Sequence, residues 1–219
     1  MLKLNLKLMQ DIYLFFIGSF VSLFSIVDPL VAVPVFASLT EKYSAKKRIH
    51  IAKQACIYVF GVLLVFFITG GLILKFFGIS LEGLRIAGGL MIVGTAIEML
   101  QKKERLLPQE QTESEEKDEI AFSPLAMPIL SGPGAIAVII GMTTDAKSFT
   151  HYVAILATII LVALSCYIFL RLAHIISQRM GATTMRSFNR IMGFILLCVG
   201  VQYIVNGVMP LLKIAFHTN

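Results

Sequence analysis

Charge is scarce in this sequence. Of its 219 residues only 15% are Asp, Glu, Lys or Arg, and 57% are apolar, whereas soluble domains carry about a quarter charged residues. With a mean hydropathy of +0.84, the chain falls outside the range of ordinary soluble globules. Short alternating polar–apolar segments are missing, which argues against a β-barrel. The three cysteines, Cys56, Cys166 and Cys198, show neither CxxC nor metal-ligand spacing and read as small packing residues. The four histidines show no HExxH or paired spacing, so no zinc site and no cofactor is expected. Basic residues form no patch interleaved with aromatics, which argues against a nucleic-acid partner. No small-residue cleavage site follows the apolar run from residue 12, so no cleavable signal peptide is expected.

What is present is apolar sequence in blocks. Six stretches, 12–39, 51–74, 84–100, 122–142, 152–172 and 191–212, are apolar all round. Runs of about 18 or more such residues read as membrane-spanning helices. In lipid every backbone amide must be satisfied within its own segment, which selects helices.

The basic residues divide unequally between the two sides. One side takes Lys42, Lys46, Lys47, Arg48 and Lys53 after the first span, and Lys102, Lys103, Arg105 and Lys117 after the third. Arg171, Arg179, Arg186 and Arg190, around the loop after the fifth span, fall on the same side. The other side has Lys3, Lys7, Lys75, Arg85, Lys147 and Lys213. The positive-inside rule puts the richer side in the cytoplasm and both termini outside, in a multi-pass protein of the cell membrane. The longest polar stretch, QKKERLLPQEQTESEEKDE, reads as a charged cytoplasmic linker over 101–120. Ser44 reads as an N-cap to a basic amphipathic lead-in to the second span.

The linker divides the chain into two similar halves, 1–100 and 121–219. IVDPLVAVPV lies over LSGPGAIAVI with Pro29 on Pro133, and RIAGGLMIVG lies over RIMGFILLCV with Arg85 on Arg190. The two offsets, 104 and 105 residues, agree to within one. Three spans per half is an odd number, so the second half enters the membrane from the opposite side. The expected fold is therefore an all-α polytopic membrane protein of six transmembrane helices, built as two inverted three-helix repeats.

Each half is expected to have a broken first helix. A straight helix over 12–39 would run ~42 Å against a hydrocarbon core of ~30 Å. Pro29 removes an amide and clashes with the preceding turn, and Pro34 repeats this one turn later. Asp28, before Pro29, is pushed from helical dihedrals, so unwinding is expected at 26–30. In the second half Pro124, Pro128 and SGPG, residues 131–134, break the helix in the equivalent place. Paired breaks of this kind point to a central binding site, with Asp28, Pro29, Ser131, Gly132, Pro133 and Gly134 as its residues. A carboxylate at mid-membrane is costly, so Asp28 either takes up H⁺ or pairs with a cation or a substrate ammonium. The plainer role for Asp28 is to cap the helix that follows.

Other polar residues read more simply. Thr95, Gln202 and Asn206 lie in spans and either face a cavity or bond between helices, as Ser131 also could. Gly88, Gly89, Gly94, Gly193 and Gly200 are expected to let helices approach closely. Arg85 and Arg190 read as interface anchors, their equivalence leaving an inward role open.

DPLVAVPVFASLT and PLAMPILSGPGAIA together resemble the two signatures of the MarC family of integral membrane proteins, and the resemblance covers nearly the whole chain. It implies transport of a small neutral or zwitterionic solute, amino acids among them, driven by an ion gradient of H⁺ or Na⁺. A passive channel, an exporter and a non-transporting structural or regulatory membrane protein are the competing readings. An intramembrane enzyme fits poorly, because no Ser–His or Cys–His constellation and no second carboxylate accompanies Asp28. Beyond the lipid bilayer and the solute, the sequence names no partner and no oligomeric state.

Overall fold

The computed structural model is described over residues 2–101 and 130–217. The charged linker after residue 101, and Pro124 and Pro128, lie outside the described residues. Those described form seven helices: α1 Leu2–Val27, α2 Pro29–Leu39, α3 Ala45–Phe77, α4 Leu81–Leu100, α5 Pro133–Asp145, α6 Phe149–Arg171 and α7 Ala173–His217. Among them there is no strand.

Five segments are long and apolar enough to cross a membrane: Gln10–Ala37, α3, α4, α6 and Arg190–Lys213. Their outer faces are apolar. Leu72 and Phe76 on α3 are 66% and 84% exposed, a loss in water but compatible with lipid. The interior is a single cluster that includes Leu23, Val27, Ala55, Val59, Ile92, Val138, Ile155 and Val162.

Local chemistry sets the ends. Ser44 caps α3 as the sequence predicts, its hydroxyl accepting from Lys47 N–H at 3.4 Å. Arg48 then reaches back, donating from Nε to Thr40 O at 2.9 Å and from Nη2 to Glu41 O at 2.7 Å. These bonds take up carbonyls left over at the end of α2. At the other end of α3, Gly78 adopts φ 64° and Ile79 N–H bonds Leu74 O at 2.9 Å, closing the helix with a left-handed cap. Ser80 caps α4 through Gly83 N–H at 3.0 Å.

α4 and α7 lie antiparallel with their backbones touching. A Cβ on Gly200 would stand 2.9 Å from Val93 N and 3.0 Å from Gly89 O. Gly193 and Gly207, each seven residues from Gly200, make the same approach further along, against Met99 and Glu82 respectively. Small residues at such contacts let the backbones close up. Gly94, expected to share in this, faces open space instead.

Two expectations are corrected. Pro34 does not break the chain, because α2 continues through it to Leu39. Its missing amide removes one helical bond, and the flanking turns hold the helix. The basic segment after the fifth span is not a loop. α7 runs unbroken for 45 residues, or ~68 Å at 1.5 Å per residue. The stretch 173–190 contains no proline, and its one glycine, Gly181, is tolerable in a helix. Its start is packed rather than free, with Ala173 fully buried and Ile176 against the same core cluster.

Candidate functional site

The first break is a single residue. Asp28 takes φ 40°, and it is the one non-glycine residue with positive φ among those described. Its own N–H still completes α1, bonding Phe24 O at 2.9 Å. Pro29 follows, and its ring could not share a helical turn with the carbonyl of Ser25. The chain therefore turns through the left-handed region, which Asp tolerates better than most residues. The Asp28 carboxylate then accepts from Val31 N–H at 3.3 Å, so it caps α2, with Pro29 in the favoured first helical position. The expected unwinding over 26–30 is thus confined to one residue. Asp28 is 5% exposed.

The second break is built differently. Ser131 and Leu130 are fully buried, and Ser131 sits in a bend. Gly132 is the N-cap of α5, with extended backbone at φ −65°, ψ 173° and no side-chain cap bond. Pro133 opens the helix and is itself exposed, while Gly132 and Gly134 are half-buried. Ile136 N–H bonds Gly132 O at 3.2 Å to start the ladder.

The two breaks are neighbours. A Cβ on Gly134 would lie 3.4 Å from Ile26 Cγ2 and 3.0 Å from Ile92 Cγ1, and Ile26 is two residues before Asp28. The first turn of α5 therefore rests on the last turn of α1. From this meeting point α2 and α5 run to opposite faces. α2 ends at the basic loop where α3 begins. α5 follows the far end of α3, with Gly70 against Ile140, and ends at Asp145 beside Arg85 at the start of α4. At 11 and 13 residues, these helices measure ~16 and ~20 Å, each too short for a ~30 Å hydrocarbon core. Both helical starts consequently lie at depth in the membrane.

The remaining polar candidates separate. Thr95 returns its hydroxyl to Met91 O at 3.1 Å, and Gln202 Nε2 donates to Asn206 Oδ1 at 2.8 Å on the exposed side of α7. These bonds stay within one helix and join no central site. Arg190 is exposed, whereas Arg85 pairs with Asp145. Cys198, read as a packing residue, is exposed, while Cys56 and Cys166 are buried.

Sequence reasoning missed two features. Thr158, fully buried on α6, has a hydroxyl without a hydrogen-bond partner among the described residues. Thr40, Thr69, Thr95, Thr143 and Thr144 all return theirs to the carbonyl four residues back. An isolated threonine in an apolar run carries no signal in one sequence. The Arg85–Asp145 pair was hidden because Asp145 stands beside Lys147 in what reads as a surface turn.

Comparison with known proteins bears directly on this arrangement. The model of the MarC family of integral membrane proteins matches residues 13–212. This chain belongs to the MarC family. It is 38% identical over 205 residues to the membrane protein YvbG of Bacillus subtilis, covering 90% of this chain and 97% of that one. It is 40% identical over 197 residues to membrane protein MJ1677 of Methanocaldococcus jannaschii, covering 89% and 96%. The inner membrane protein MarC of Escherichia coli O1:K1 is 35% identical over 206 residues, covering 88% and 93%. No solved structure matches. The match to the MarC family takes in both breaks and every helix that crosses the membrane.

Proposed function

We propose that this MarC-family protein is a secondary transporter, moving a small neutral or zwitterionic solute, amino acids among its candidates, by alternating access. One observation carries the reading. Two half-span helices start from breaks that touch through Ile26 and Gly134 and run to opposite faces. Non-helical backbone at membrane depth is tolerated where it lines a cavity or is covered by protein. Paired half-helices of this kind form the central site of many secondary transporters.

The site's chemistry suits a zwitterion. The start of α5 has a glycine cap that supplies no side-chain acceptor, so its amides and dipole favour a solute carboxylate. Asp28, across from it, offers negative charge to an ammonium, or to the H⁺ or Na⁺ that would couple transport. Pro29, Ser131 and Pro133 shape the two turns, Gly132 adds no side chain at the start of α5, and Gly134 lets that start close on Ile26 and Ile92. In this reading 1–100 and 121–219 are inverted halves joined by the linker, and both termini lie outside. α4 and α7, the third helices of the two halves, pack antiparallel, as such symmetry would require.

The test is uptake by proteoliposomes of purified protein, across a panel of neutral amino acids, with and without an imposed H⁺ or Na⁺ gradient. Accumulation against the solute's own gradient is expected. Equilibration alone would make the protein a channel, and an absence of any movement would end the transport reading.

A further inference from the structure

We propose that Arg85 and Asp145 form a latch that closes the solute path on the face opposite the basic α2–α3 loop. The proposal rests on the reading above, in which the two breaks line that path. Arg85 Nη2 of α4 and Asp145 Oδ2 of α5 make an ion pair, bridging two helices from different halves of the sequence. It is the ion pair that the described residues contain. Along the same face, Tyr203 of α7 packs on α5. Its hydroxyl is 3.5 Å from where a Cβ on Gly141 would be. Arg85 itself rests on Gly207, a Cβ there lying 3.2 Å from Arg85 Cβ. The pair thus draws α4, α5 and α7 together at one rim.

Position gives the pair its role. α5 carries Asp145 at one end and the break at the other, so the pair closes ~20 Å along the half-helix from Gly132. Arg85 is 19% exposed and Asp145 47% exposed. A pair this well solvated is held weakly and screened by salt, as something that must open and close requires. Below it, α5 meets α4 through two small residues, Gly88 against Ala137. A contact of this kind lets one helix slide on the other as the rim opens.

The experiment places one reporter cysteine, Ser131→Cys, in the full-length protein with Cys56, Cys166 and Cys198 replaced by alanine. A membrane-impermeant maleimide is applied from each face in vesicles of defined orientation. The parent should react slowly from the Asp145 face. Arg85→Ala and Asp145→Asn should each speed labelling from that face at least tenfold and leave the other face within twofold. The swap Arg85→Asp with Asp145→Arg should restore slow labelling, and it also controls for folding. High salt should accelerate the parent and leave Arg85→Ala unchanged. Labelling indifferent to both single changes, or rising equally from both faces, would overturn the latch, as would failure of the swap to restore slow labelling. The two readings separate cleanly. Uptake with labelling indifferent to the pair sinks the latch alone. Labelling that responds to the pair, together with wild-type protein that moves no solute in proteoliposomes, sinks the transport reading alone.

Discussion

The two breaks solve one problem with opposite chemistry. At the first, a carboxylate terminates α1 and caps α2, so the charge that interrupts the helix also satisfies the restart. At the second, Gly132 caps α5 with backbone alone and adds no side chain. One helix start carries its own acceptor, whereas the other is left for an acceptor from elsewhere. Two turns at similar depth, both set by proline, therefore present unlike chemistry: a carboxylate at Asp28, and a helix start without a side-chain acceptor at Gly132. In the transporter proposed above, a pair of identical breaks would suit a symmetric ion, whereas this pair would suit a molecule with two unlike ends.

The comparison can be broken most severely at Gly134. A leucine there has no room against Ile26 and Ile92 and should wedge the two breaks apart. The expected cost is ~1–3 kcal/mol of stability, read as a lower melting temperature in detergent, with uptake abolished. A melting temperature equal to wild type would mean that the two turns do not bear on each other.

Asp28 gives the next largest effect. Asp28→Ala loses the cap and places alanine at φ 40°, for a combined cost of ~2 kcal/mol. Asp28→Asn keeps both the turn and the cap, so it should fold within ~0.5 kcal/mol of wild type. It should nevertheless lose the response of uptake to an imposed ion gradient. If Asp28→Asn remains driven by the gradient, coupling lies on another group.

The mildest change makes the second break resemble the first. Gly132→Asp supplies a side-chain acceptor to α5. It should stabilise the fold by no more than a few tenths of a kcal/mol, the usual margin of Asp over Gly at a cap. Solute affinity should fall, because the helix start then holds its own carboxylate. Isothermal titration with a transported amino acid would register this as a raised Kd, and an unchanged Kd would place the solute carboxylate elsewhere.

The breaks were legible in the sequence because proline and glycine act on the chain locally. Pro29 after Asp28, and the run 131–134, dictate dihedrals whatever surrounds them. The caps Ser44 and Gly78 obey equally short-range rules, although only the first was read in advance. Pro34 misled because a single missing amide does not decide whether a helix continues, and α2 runs through it to Leu39. The helical stretch 173–190 read as a loop from polarity alone, because its basic and polar residues interrupt the apolar run between the fifth and sixth spans. Asp145 and Thr158 were invisible for a different reason. Their significance lies in which residues face them, Arg85 in one case and no described partner in the other, and a single sequence records no such pairings.

The unbroken length of α7 has a mechanical consequence. Its membrane window is Arg190–Lys213, and the same rod continues back ~25 Å to Ala173, which is fully buried in the core cluster that also holds Val27 and Leu170. A tilt of the membrane portion is therefore carried by one stiff rod into the packing around Ala173, as a crowbar carries force to its seated end.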